Sequence, residues 1–143
     1  RIKIAGAAGT RTVPIKDFFT TLGNALKRDE LLTEIQVPKP PEEARQRFLK
    51  FTLRAPVDFA IVSVASVITV DAGICKEARI ALGAVAPTPI RAKEAEEIIK
   101  GKAVNAATAE EAAEAAVSGA KPLSMNAYKV EITKTLVRRA ILS

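Results

Sequence analysis

Residues 60–85 read AIVSVASVITVDAGICKEARIALGAV, and the order of side chains in this stretch decides the fold. Ala60 to Val70 is rich in β-branched residues, whose stiff side chains suit a pleated, half-buried surface. Asp71-Ala72-Gly73 is a turn signal, because Asp and Gly accept the backbone conformations of a tight reversal. Glu77 to Val85 is apolar again, so a returning strand and an antiparallel hairpin are expected. Ser63, Ala65 and Ser66 keep the first strand thin, which predicts close approach of another layer.

Upstream of the hairpin, Arg47 to Arg54 (RFLKFTLR) alternates. Leu49, Phe51 and Leu53 are expected on a core face, with Phe48, Lys50, Thr52 and Arg54 on the opposite face. Pro56 is expected to break this strand, since proline offers no amide to a ladder. Leu31 to Val37 forms another predicted strand, stopped by Pro38, Pro40 and Pro41. The polar stretch Lys39 to Ala44 is the candidate domain boundary, dividing 1–38 from 39–143. Arg1 to Ile15 carries two short β segments around Ala-Gly-Ala-Ala-Gly-Thr, and Asp17 to Leu26 is expected to form a turn of helix.

Downstream, three helices are predicted. The first runs from Pro89 to Lys100 and stops at Gly101. The second runs from Thr108 to Ser118, opened by a capping box Thr108-Ala-Glu-Glu111 and ended by Gly119. The third runs from Asn126 to Leu142, with Tyr128, Ile132, Leu136, Val137, Ala140 and Ile141 forming an apolar stripe. Strands followed by a run of helices define an α+β class, here an antiparallel sheet with three helices on one face.

Composition narrows the chemistry. The 143 residues include no His and a single Cys, Cys75. This excludes Ser-His-Asp and Cys-His catalysis, His-ligated metal, all-Cys metal sites and an internal disulfide. No run approaches the ~18 apolar residues of a membrane span, and no secretory signal is present. The chain opens on Arg1, and its one Met is Met125; a piece of a longer polypeptide is expected. A net charge of +6 is compatible with nucleic acid. The cations are spread along the chain, however, and the helices interleave Glu with Lys, so an acidic subunit or anionic cofactor is the better partner.

Residues 4–12, IAGAAGTRT, lack both the Gly-Lys-Ser/Thr ending of a phosphate loop and the G-x-G-x-x-G of a dinucleotide loop. Val13-Pro14 stands where a helix would have to begin, so a β-turn between short strands is the reading. The face carrying Phe48, Lys50, Thr52 and Arg54, with Asp58 four residues beyond Arg54, is the candidate site. Such a basic and aromatic edge can present a rigid polar surface to a flat ligand or a partner, and a carboxylate can orient its cation. The residues by themselves leave a second reading open: a solvated strand edge with an Arg54–Asp58 ion pair, worth roughly 0–1 kcal/mol if exposed. Arg138 and Arg139 suit the C-terminal end of the last helix, and Cys75 is not expected to be a reactive thiol.

Several blocks together resemble one family. GTRTVPIKDFF (9–19) and LKRDELLTEIQVP (26–38) look like the end of a flavin-binding domain and its connecting strand. FLKFTLRAPVDFAIVSVA (48–65), ARIALGAVAPTPIRAKEAE (78–96) and AYKVEITKTLVRRAI (127–141) are similar to three blocks of a C-terminal domain. The chain thus resembles the C-terminal part of the FAD-binding (medium) subunit of molybdenum hydroxylases, the carbon monoxide dehydrogenase and xanthine dehydrogenase family. The resemblance implies FAD as cofactor, with contacts at Leu32 in the D-E-hydrophobic-L segment and Lys50 in the F-x-K strand. It implies Arg54 and Asp58 near the ring, and no catalytic or metal-ligating residue in this chain. The glycine-rich loops that hold the FAD pyrophosphate are expected ahead of Arg1. The implied partners are a molybdenum-cofactor subunit, a [2Fe-2S] subunit and an N-terminal FAD-binding domain, in a cytoplasmic oxidoreductase that passes electrons through FAD to an acceptor. No nucleic acid or membrane span is implied, and the fragment alone is expected to be inactive and to hold FAD weakly or not at all. One departure stands out: the family's Ser-x-x-Tyr-Arg becomes Ser-Met-Asn-Ala-Tyr-Lys, placing Lys129 where a bidentate Arg is usual. A non-catalytic assembly domain on the same scaffold is the alternative.

Overall fold

The computed structural model describes residues 1–54 and 57–143. The chain forms two compact units, Arg1–Lys39 and Pro40–Ser143.

In the first unit, β1 (Ile2–Gly6) pairs antiparallel with both β2 (Gly9–Val13) and β5 (Glu30–Ile35). Ile2, Ile4 and Phe18 form its small core. The helical turn expected over Asp17 to Leu26 is not there. A single 3₁₀ turn covers Ile15–Asp17, followed by a two-rung hairpin of β3 (Phe19–Thr20) and β4 (Gly23–Asn24). Asn24 explains part of this: its Oδ1 accepts the Leu26 amide at 3.0 Å, a local bond that competes with helix.

The second unit is an α+β layer pair. β6 (Ala44–Phe51), β7 (Val62–Asp71), β8 (Ile74–Gly83) and β9 (Ile90–Arg91) make an antiparallel sheet in that order. The helices α1 (Lys93–Ile99), α2 (Ala106–Val117) and α3 (Tyr128–Leu142) follow. Val62, Val64 and Ile68 of β7 and Ile80 and Leu82 of β8 are buried against Ala95, Ile99, Leu136, Val137 and Ile141. Each such aliphatic side chain contributes on the order of 1.5–3 kcal/mol when fully buried. Alternation then sends Ser63, Ala65 and Val67 to the opposite sheet face.

The hairpin turns at Ala72 (φ +47) and Gly73 (φ +80), the doubly left-handed geometry that matches strand twist. The start of β8 is tied to the α1–α2 connection. Cys75 N–H donates to Lys102 O at 2.9 Å, and Gly101 N–H donates to Cys75 O at 2.7 Å. Cys75 is consequently buried, and burial pushes its thiol pKa up, away from reactivity.

Three sequence expectations shift. α1 begins at Lys93, not Pro89, because Ile90 and Arg91 are drawn into the sheet as β9. α2 is capped by Asn105, whose Oδ1 accepts the Thr108 amide at 3.0 Å, so Thr108 sits inside the helix. Glu111 pairs instead with Lys102 at 2.9 Å. Tyr128 lies outside the buried stripe of α3 and is half exposed. On the outer side of the helical pair, Lys134 meets Glu114 at 2.8 Å and Arg138 meets Glu110 at 2.9 Å.

Candidate functional site

The strand β6 is the free edge of the four-stranded sheet. Its register on β7 places Leu49 opposite Val64 on the helix-covered face, and Lys50 opposite Ser63 on the uncovered face. Only Leu49 of its expected core row packs on the core. Phe51 is 41% exposed and Leu53 is 80% exposed, because the strand ends at Phe51 at the corner of the sheet. Pro56, read as the strand breaker, lies outside the described residues.

Beyond β6 the chain is organised around Asp58. Its Oδ1 accepts from Arg54 Nη2 at 3.0 Å and from Phe59 N–H at 2.8 Å. Its Oδ2 accepts from Arg54 Nε at 3.2 Å and from the Arg54 amide at 3.3 Å. Asp58's own backbone carbonyl accepts from Lys50 Nζ at 3.2 Å. The carboxylate is thereby sheltered, 11% accessible, while the Arg54 side chain is 81% accessible. The Arg54 guanidinium, reinforced by the two backbone amides and the Lys50 charge, holds the Asp58 carboxyl below the usual range. The Asp58 side chain thus holds Arg54, and its backbone carbonyl holds Lys50, with both cations exposed.

Beside this cation pair the uncovered sheet face is low and flat. Lys50, Ser63 and Gly83 lie in one row across the strands, and Phe48, Ala65 and Ala81 lie in the next. Gly83 lies under the Ser63 hydroxyl, which would have to rotate away to admit a Cβ there. Phe48 stands at its margin, 67% exposed.

Leu32 belongs to the first unit. It sits on β5 opposite Ile4 and is 37% exposed. The neighbouring Glu30 is the acid of the Asp29-Glu30 pair that precedes it. Arg11 Nε donates to Glu30 Oε1 at 2.8 Å, and Arg11 Nη2 to Oε2 at 2.7 Å. Lys27 N–H donates to Oε2 at 2.7 Å. Arg11, first, and the Lys27 amide lower the Glu30 pKa to about 2. This clamp fixes the start of the strand that carries Leu32.

Lys50, Arg54 and Asp58 are therefore brought together, and Leu32 stands on a separate unit. Sequence reading missed the exposed apolar side chains next to Arg54 and Asp58 in the chain: Leu53, Val57 and Phe59 are each at least 80% exposed. Large apolar residues within a short irregular loop between two strands were the available signal. Among the described residues no cluster of His, Cys, Asp or Glu could hold a metal ion, and no helix is long and apolar enough to cross a membrane.

Fold and site together define an α+β domain with an exposed cationic strand edge. Residues 47–143 match the model of the CO dehydrogenase flavoprotein C-terminal domain, and the chain belongs to that family. It is 29% identical over 147 aligned positions to the xanthine dehydrogenase FAD-binding subunit of Escherichia coli O157:H7, covering 99% of this chain and 50% of that protein. It is 30% identical to the carbon monoxide dehydrogenase medium chain of Afipia carboxidovorans, covering 97% of this chain and 50% of that one. Among solved structures, the Hydrogenophaga pseudoflava carbon monoxide dehydrogenase lacking the Mo-pyranopterin moiety superposes with a TM-score of 0.90. The identity there is 32%, over 98% of this chain and 50% of that one. The chain spans about half the length of the curated relatives it matches.

Proposed function

We propose that this chain is the C-terminal part of the FAD-binding subunit of a molybdenum hydroxylase-type oxidoreductase, and that the β6 edge covers one side of the flavin. The first unit, Arg1–Lys39, is then the tail of the FAD-binding domain with its connecting strand. The observation that carries the reading is the pairing of an outward ammonium, Lys50, with a flat shelf of small residues beside it.

The residues fit a flavin on chemical grounds. A planar ring needs a shelf without bulky side chains, and the rows beside Lys50 and Phe48 carry only Ser63, Ala65, Ala81 and Gly83. Its carbonyl oxygens and ring nitrogens need donors, and Lys50 keeps N–H groups beyond the one given to Asp58 O. Bound FAD would supply reversible two-electron transfer between an electron donor and an acceptor. Lys50 would bind and orient the ring edge and set the local positive potential. Asp58 would hold Arg54 in one orientation and temper its field, and Phe48 with Phe59 would exclude water from the margin. The flavin contact at Leu32 rests on the likeness of its Asp-Glu-Leu-Leu segment and on its partial exposure.

In this reading the electrons come from a molybdenum-cofactor subunit through a [2Fe-2S] subunit in a cytoplasmic complex. Relatives named as a medium chain and as a FAD-binding subunit support a multi-subunit assembly. The exposed Leu53, Val57 and Phe59 favour a second role for the same edge, docking of a neighbouring subunit.

Hydrogen exchange on the complete subunit, with and without FAD, tests the proposal. FAD is expected to slow exchange of the amides of residues 48–59 and to leave α2 unchanged. Equal exchange at 48–59 in both states would contradict it.

A further inference from the structure

On the helical side of the second unit, β9, the end of α2 and the start of α3 line an open cleft of about 410 Å³. That size falls within the ~300–1,000 Å³ range of small-molecule sites. Its wall includes apolar Leu82, Val85, Ala116 and Val130, and two cations, Lys121 and Lys129.

The electrostatics of the wall are uneven. Arg91 also lines the cleft, but its charge is spent: Nε and Nη2 donate to the two oxygens of Glu96 at 2.7 and 2.6 Å. Neither Lys121 nor Lys129 has a carboxylate within ion-pair distance among the described residues. Lys129 Nζ donates to the carbonyl of Ala84 at 3.0 Å, which leaves two further N–H groups. Ala84 itself is held at φ +62, so Lys129 also fixes a rare backbone turn on the cleft's border. Glu94 is the one opposing carboxylate in the wall outside the Arg91–Glu96 pair. The negative end of α2 is blunted, since Ala115 O accepts from Ser118 Oγ and Val117 O accepts from Ala120 N–H. Two unspent ammonium groups beside an apolar floor call for a ligand with a carboxylate at one end and hydrocarbon at the other.

We propose that this cleft binds a small organic carboxylate, its oxygens on Lys121 and Lys129 and its hydrocarbon body on Leu82, Val85 and Val130. The site shares no residue with the flavin edge and stands independently of that reading.

The test is a titration of the complete subunit with hexanoate and, separately, with hexanamide, followed by the backbone amide shifts of residues 80–133. Hexanoate is expected to move the amides around Leu82, Ala116 and Val130 saturably, with a Kd of about 1 mM and about tenfold weaker binding of the amide. Lys121→Gln should weaken hexanoate about threefold without altering the shifts of the Ala84 turn. The double variant Lys121→Gln/Lys129→Gln should abolish the preference for hexanoate over hexanamide. Absence of saturable shifts at the cleft, equal affinity for the two compounds, or an unchanged hexanoate affinity in Lys121→Gln would each overturn the proposal.

Discussion

Asp58 holds Arg54 through both carboxylate oxygens, at 3.0 and 3.2 Å, while keeping the Phe59 amide at 2.8 Å. One carboxylate thus fixes the contact between Arg54 and Phe59. Asp58→Ala is expected to release it. Amide exchange at Phe59 should accelerate, with little change in the melting temperature of the domain, because Arg54 is solvent-exposed and the hydrophobic core lies elsewhere. The Asp58 pKa is depressed by its bond to Arg54, so this contact is fully present above the ordinary carboxylate range. It is lost only as pH falls through the lowered value. Exchange measured by nuclear magnetic resonance across that range checks the sign.

Glu30 makes a second pH prediction, for the first unit. Its folded pKa of about 2 lies below the ordinary 4.5, so ionised Glu30 stabilises the native fold above 4.5. That contribution should fade as pH drops from 4.5 towards 2. Signals of Ile4 and Phe18, the core of this unit, should report the loss before those of Val64 and Ile80. Glu30→Gln should remove this pH dependence and leave the unit weaker at pH 7. An identical acid transition in the variant would assign the loss to another group.

Glu96 replaces a rung of the sheet. Ala92 N–H donates to Ile80 O at 2.9 Å, and Ile80 N–H, left without a strand partner, donates to Glu96 Oε1 at 2.7 Å. Glu96→Ala would strand a buried amide and the Arg91 charge, and should cost about 2–4 kcal/mol in urea unfolding. Glu96→Gln keeps an acceptor for Ile80 and should cost about 1–2 kcal/mol. A loss under 0.5 kcal/mol for the alanine variant, against this ~2–4 kcal/mol expectation, would show that the edge closes by other means.

The hairpin of 60–85 and the order of strands before helices were legible because β-branched runs and a left-handed turn have strong local signatures. The errors have separate causes. Phe51 and Leu53 continue the alternation in the sequence, but alternation does not say where a strand stops, and β6 ends at Phe51. Pro89 looked like a helix start because β9 is only two residues long and is made by pairing with Ala81 and Leu82, a tertiary event. Asn105 outcompeted Thr108 as a cap by three residues, within reach of sequence but masked by the apparent capping box. At the site, Lys50, Arg54 and Asp58 could be grouped from spacing. The turn of Asp58 inward and Arg54 outward could not, because it depends on backbone amides that only the folded loop presents.

Lys50 carries the central claim. Replacing it with Met in the complete subunit retains the hydrocarbon stem and removes the charge. Loss of a cation that favours reduced FAD should lower the flavin midpoint potential by about 10–40 mV, equivalent to roughly 0.5–2 kcal/mol for two electrons. A potential unchanged within a few mV in a folded, FAD-loaded Lys50→Met subunit, against the about 30 mV that 1.4 kcal/mol represents, would contradict it.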